Sequence, residues 1–186
     1  MTLLMLTELP NASMAGLIPV VLGAAWYDWF YWRIPNSIVA AGATAALMLS
    51  LFTVDGIGIF SCVMGGLIGF SMLLPFYLLK GVAAGDVKLL TVVGMFTGPV
   101  LGFETALLSF LLGGVWAIGM LYMQSNSAQL LKHSFIFSQL SNITWRLPER
   151  AAAPEMHPTS RGTIPYGVVI SMASMIILLI HLLNAR

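Results

Sequence analysis

Six apolar runs, at about 12–27, 37–54, 57–79, 87–102, 104–123 and 163–183, leave this chain little choice but helices that cross a membrane. Crossing about 30 Å of hydrocarbon takes roughly 20 apolar residues in helical form, and backbone groups there must be satisfied within the segment itself. The breaks between the runs carry turn residues: Pro35-Asn36, Asp55-Gly56, Gly81 to Gly85 and Gly98-Pro99. Alternating strand patterns are missing, which argues against a barrel. With 59% hydrophobic and 8% charged residues, a water-soluble globule of 186 residues is excluded. The expected fold is all-α, a polytopic membrane protein with six transmembrane helices forming a single domain over 1–186.

The basic residues orient such a bundle. With the N-terminus outside, the connections after spans 1, 3 and 5 face the cytoplasm and hold Arg33, Lys80, Lys88, Lys132, Arg146, Arg150 and Arg161. Arg186 alone falls outside, the asymmetry expected of an oriented membrane protein. Thr97-Gly98-Pro99 should break the fourth run after about three turns, yet dropping that span would strand the basic 124–162 segment on the wrong side. Six spans are therefore kept, with both termini on the outer side. Glu8, Asp55 and Glu104 then lie outside, whereas Asp28 and Asp86 share the cytoplasmic edge.

Other features narrow the function classes. The first 27 residues carry no Lys or Arg, so the N-terminal run reads as a retained helix and not a secretory signal. Cys62 is the only cysteine, and His133, His157 and His181 lack ligand-like spacing, so neither a metal nor another cofactor is expected. A net charge near +1 implies no nucleic-acid partner; membrane lipid is the expected surrounding. The polar 124–162 segment reads as a cytoplasmic loop. It contains a helix lying in the interface (Ile136, Leu140, Ile143, Leu147) followed by a Pro- and Ala-rich stretch, either a tether or a lid. Gly65-x-x-x-Gly69, Gly113, Gly114 and Gly119 read as close helix packing.

Acids at membrane helix ends are costly unless used, so Asp28 and Asp86 are the candidate site. Asp28 stands in the aromatic belt Trp26-Tyr-Asp-Trp-Phe-Tyr-Trp-Arg-Ile-Pro-Asn36, after which Asn36 or Ser37 is placed to cap span 2. Asp86 opens span 4, where helix amides favour a carboxylate, and Gly85 before it allows a tight turn. Two carboxyls brought together share one proton. Such a pair suits peptide hydrolysis, one carboxylate activating water while the other polarises the carbonyl. A cap, or pairing with Lys88 or Arg33, is the plainer alternative.

Asp28 with Arg33-Ile-Pro-Asn36, Ala84-Gly-Asp-Val-Lys-Leu-Leu90 and Ile164-Pro-Tyr-Gly167, in order and all at cytoplasmic helix ends, resemble the type IV prepilin peptidases. These are intramembrane aspartic proteases of the Gly-x-Gly-Asp class. The resemblance implies that Asp28 and Asp86 are the catalytic pair. It also implies that Gly85, Lys88, Pro165, Tyr166 and Gly167 bind substrate or shape the site. It further implies a bacterial inner-membrane enzyme of the short branch serving tight-adherence (Flp-type) pili. Such an enzyme cleaves the leader from prepilins or pseudopilins at the cytoplasmic face and lacks N-methyltransferase activity. Ala83 departs from the family pattern, which has glycine there. Three rival readings stay open: a protease of leftover signal peptides, a proton- or cation-coupled carrier, and a non-catalytic prepilin-binding pseudoenzyme.

Overall fold

A computed structural model describes residues 11–31, 33–52, 57–79, 81–123 and 166–184. Glu8, Asp55, Lys80, Pro165 and the 124–162 loop lie outside the described residues. Within them every regular element is a helix: α1 (Asn11–Tyr31), α2 (Asn36–Phe52), α3 (Ile59–Leu78), α4 (Ala84–Met123) and α5 (Tyr166–Asn184). Three of the five, α3, α4 and α5, are long and apolar enough to cross a membrane, and α2 is a shorter apolar helix of 17 residues.

The boundaries follow local chemistry. Pro35 ends the turn after α1, and its carbonyl accepts from Ile38 N at 3.1 Å, opening α2. The side chain of Asn36 does not cap that helix as the sequence suggests; its Oδ1 accepts from Lys88 Nζ at 3.0 Å. Gly58, at φ 79°, turns the chain into α3. Leu79 N and Gly81 N close the other end on the carbonyls of Pro75 and Phe76.

Gly98 decides the shape of α4. Its φ of 79° with ψ −177° is a backbone region essentially reserved for glycine, and Pro99 follows, suited to the first position of a new helical arm. The arms fold back on each other there. A Cβ on Gly102 would come within 3.1 Å of Gly94 Cα, whereas eight residues along an uninterrupted helix are about 12 Å apart. The fourth and fifth apolar runs thus belong to one helix, broken at Gly98 inside the fourth run.

Glycine also allows α3 to meet this turn. A Cβ on Gly65 would strike the Gly94 carbonyl, one on Gly94 would strike the Gly65 carbonyl, and one on Gly69 would strike the Leu90 carbonyl. Between apolar helices in lipid, such backbone approach supplies the dispersion contacts that a hydrophobic driving force supplies in water. Leu17 and Val21 of α1, Leu73 of α3, Phe96 of α4 and Ile170 of α5 are almost fully buried, while Leu22, Phe60, Leu111 and Leu183 face outward as lipid-exposed residues do. Beyond Val115, the described part of a second compact unit is the end of α4, from Trp116 to Met123.

Buried hydroxyls are satisfied by carbonyls one turn back, as at Thr97, Thr105, Ser109 and Ser174. Ser171 does more. It donates to Gly167 O at 2.7 Å and is also 3.1 Å from Val21 O, so it fastens the first turn of α5 against α1.

Candidate active site

Asp28 and Asp86 are 6% and 5% exposed, nearly as buried as the apolar core around them. Burial of this kind is tolerated only when the carboxyl oxygens find donors. Each aspartate finds them at the start of a helix.

Asp28 comes from the last turns of α1, and its Oδ2 accepts from Val168 N of α5 at 3.1 Å, with Gly167 N also directed at the carboxyl. The first amides of α5 have no carbonyl of their own helix to bond, so an oxygen acceptor there satisfies a donor left free by helix geometry. Gly167 permits the approach. A Cβ on it would lie 2.8 Å from Asp28 Oδ2 and 2.9 Å from Ile34 Cδ1.

Asp86 lies in the first turn of α4, where its Oδ2 reaches back to Ala83 N at 3.3 Å while Ala83 O accepts from Asp86 N and Val87 N. This is one half of a capping box, with the acid in the third helical position bonding the capping residue. The plain reading of Asp86 as a helix cap is therefore correct for one oxygen, and it leaves the other available. Ala83 acts here through its backbone, and its methyl group stands at an exposed position.

The two acids are brought into one place. The Asp28 carboxyl and Ile34 Cδ1 both stand about 3 Å from where a Gly167 Cβ would be, and Ile34 in turn lies against Gly85, the residue before Asp86. Ile34 lies at the junction, touching the Gly167 position and standing 3.4 Å from where a Gly85 Cβ would be. Gly85 sits within α4 and does not carry a positive φ, and a Cβ there would make an ordinary contact with Ile34, so a left-handed turn is not what places glycine at this position. Lys88 belongs to another face of the same helix. It is exposed, and it bonds Asn36, not Asp86, thereby pinning the start of α2 to α4.

Two contributors escape sequence reasoning. Ile34 sits in a quoted motif, yet nothing in its type marks it as the side chain between two glycines. Gly113 looks like any packing glycine, but a Cβ there would lie 2.7 Å from Tyr166 Cε2, so it makes the seat for that ring.

Chemically, the site offers two buried carboxyls and a phenol hydroxyl, all at helix ends, with backbone amides fixing one oxygen of each acid. No curated protein and no solved structure matches the chain at a significant level. The family described as type IV leader peptidases matches residues 15–118, a stretch that contains Asp28, Ile34, Gly85, Asp86, Lys88 and Gly113. That match covers more than half of the chain, and the protein belongs to the type IV leader peptidase family of membrane proteases.

Proposed function

We propose that the protein is an intramembrane aspartic endopeptidase that removes the leader of type IV prepilins or pseudopilins at the cytoplasmic face of the bacterial inner membrane. One observation carries this reading: two carboxyls from separate helices lie buried close to the same side chain, Ile34, each with one oxygen fixed by a backbone amide. Such a pair holds one proton between its members. The ionised member draws a proton from water, and the protonated member polarises the peptide carbonyl. A substrate whose hydrophobic helix is already in the bilayer brings its leader junction to this depth without ATP or metal.

The topology that suits this chemistry has six spans with both termini outside. The reversal at Gly98 supports it by parting α4 into two arms, and the basic residues of the odd-numbered connections favour the cytoplasmic side for both acids. Within the family, the short branch serving Flp-type pili is the proposed home. The 124–162 loop is proposed as a tether or lid at the same face, and methyl transfer to the product is not part of the activity.

The deciding experiment is incubation of the detergent-purified protein with a prepilin, followed by mass measurement of the product. Loss of the leader at one bond, retained in the presence of a chelator and without added methyl mass, is the expected result. An uncut prepilin that co-purifies with the protein would instead mark a pseudoenzyme. Uptake of a cation into liposomes without any cleavage would mark a carrier, and equal cutting of a generic signal peptide would mark a broader protease.

Lys88 tests how local the chemistry is. Its side chain lies two residues from Asp86 and on another face, and its bond to Asn36 is exposed. Lys88→Ala is expected to cost less than about 1 kcal/mol of stability and to leave cleavage within a few-fold of wild type. A loss comparable to that from removing either aspartate would give the lysine a direct part in catalysis.

A further inference from the structure

Among the described residues, one buried side-chain polar atom has no hydrogen-bond partner: the hydroxyl oxygen of Tyr166. Native structures rarely leave such a group idle, and those that do so at a working site commonly reserve it for a ligand or a water. The phenol is also held in place. On one side its ring fills the notch left by Gly113, where any Cβ would stand 2.7 Å from Cε2. On the backbone side, the residues that follow it, Gly167 and Val168, hold Asp28. The hydroxyl is buried and unpartnered among the described residues, on the first residue of the helix whose next two amides face the Asp28 carboxyl.

We propose that the Tyr166 hydroxyl is a third catalytic group, which donates a hydrogen bond to the scissile carbonyl oxygen of the substrate as that carbon becomes tetrahedral. This deepens the aspartic endopeptidase reading and rests on it. In the forward step the ionised aspartate takes a proton from water, and the water oxygen bonds to the carbonyl carbon. The protonated aspartate passes its proton to the carbonyl oxygen, forming a gem-diol. On collapse the C–N bond breaks, the departing nitrogen receives the proton first taken from water, and one diol hydroxyl returns a proton to the other carboxylate. Tyr166 keeps its proton throughout. A phenol remains neutral at neutral pH, so it supplies a donor without adding another charge to a site that already holds one. Its contribution grows as negative charge builds on the carbonyl oxygen, the circumstance in which a fixed donor accelerates a reaction most.

Gly113 is then a positioning residue. It acts only through the ring it seats.

Tyr166→Phe removes the hydroxyl and keeps the ring in its notch. Because that hydroxyl has no partner among the described residues, the thermal midpoint in detergent should not fall. For prepilin cleavage, kcat should drop by about 10²–10³-fold, the range for loss of one preorganised donor, while KM stays within about threefold of wild type. Gly113→Ala, which displaces the ring but spares the hydroxyl, should lower kcat in the same sense. The double variant should be no slower than Tyr166→Phe, since the group being misplaced is already gone. If Tyr166→Phe retains kcat within about threefold while Asp28→Asn and Asp86→Asn are inactive, this inference is overturned and the aspartic mechanism stands. A loss expressed only in KM, or effects that simply multiply in the double variant, would likewise overturn it. A wild-type protein that fails to cut prepilin, or an Asp28→Asn protein that cuts it normally, would overturn the underlying reading and this one together.

Discussion

Asp28→Asn and Asp86→Asn should each abolish leader removal, with cleavage rates falling by at least about 10³-fold, within the span attributed to positioned acid and base groups. The expectation rests on division of labour. A carboxyl can exist in two protonation states and exchange roles with its partner, whereas an amide of the same shape can neither accept the proton from water nor donate one to the carbonyl. The same substitutions should leave the fold intact. An asparagine oxygen at position 28 still accepts from Val168 N, and one at position 86 still reaches Ala83 N. Replacing a buried ionisable group with a neutral one also removes a desolvation cost. Single-turnover cleavage of a prepilin, read beside size-exclusion profiles in detergent, checks both halves. Wild-type cleavage by either variant would remove that aspartate from the catalytic pair.

The second large effect is structural and lies away from the acids. Gly94→Leu should prevent recovery of folded protein, and Gly94→Ala should lower stability by about 1–3 kcal/mol, the usual penalty for overpacking. At Gly94 a new Cβ would meet the Gly65 carbonyl, which is backbone on a facing helix and cannot swing aside as a side chain can. Gly98→Ala should cost a similar amount, about 1–3 kcal/mol, for a different reason: φ 79° with ψ −177° strains any residue that carries a Cβ. Heating in detergent followed by measurement of the remaining monodisperse protein gives the ranking. Gly114→Ala, where a Cβ would meet nothing within 4 Å, serves as the control and should match wild type. Equal behaviour of Gly94→Leu and Gly114→Ala would mean that the close approach of α3 to the α4 turn is not what holds the helices together.

These two sites differ in how far they could be read from the chain. The glycine spacing Gly65-x-x-x-Gly69 announces that something comes close, because small residues let the backbones of membrane helices approach each other. It does not name the partner. Which carbonyl occupies the space depends on the reversal at Gly98, and the reversal, though signalled by Gly98-Pro99, gives its direction only through the φ and ψ that the packed chain adopts. Asn36 shows the opposite error. Its type and position suit a helix cap, but a lysine 52 residues away competes for the same oxygen and wins. Gly85 reads in the sequence as a tight turn, yet it lies in the first turn of α4 without a positive φ.

The sequence by itself determined the solvent and the helical class, because hydropathy is local and a run of about twenty residues expresses it in full. Only the tertiary structure decided that the first amides of α5 meet the Asp28 carboxyl, that Ile34 sits between Gly85 and Gly167, and that Gly113 seats the ring whose hydroxyl has no partner among the described residues. Those contacts join segments as much as 140 residues apart. Their geometry is fixed by how whole helices pack, a property that no local stretch of the chain carries.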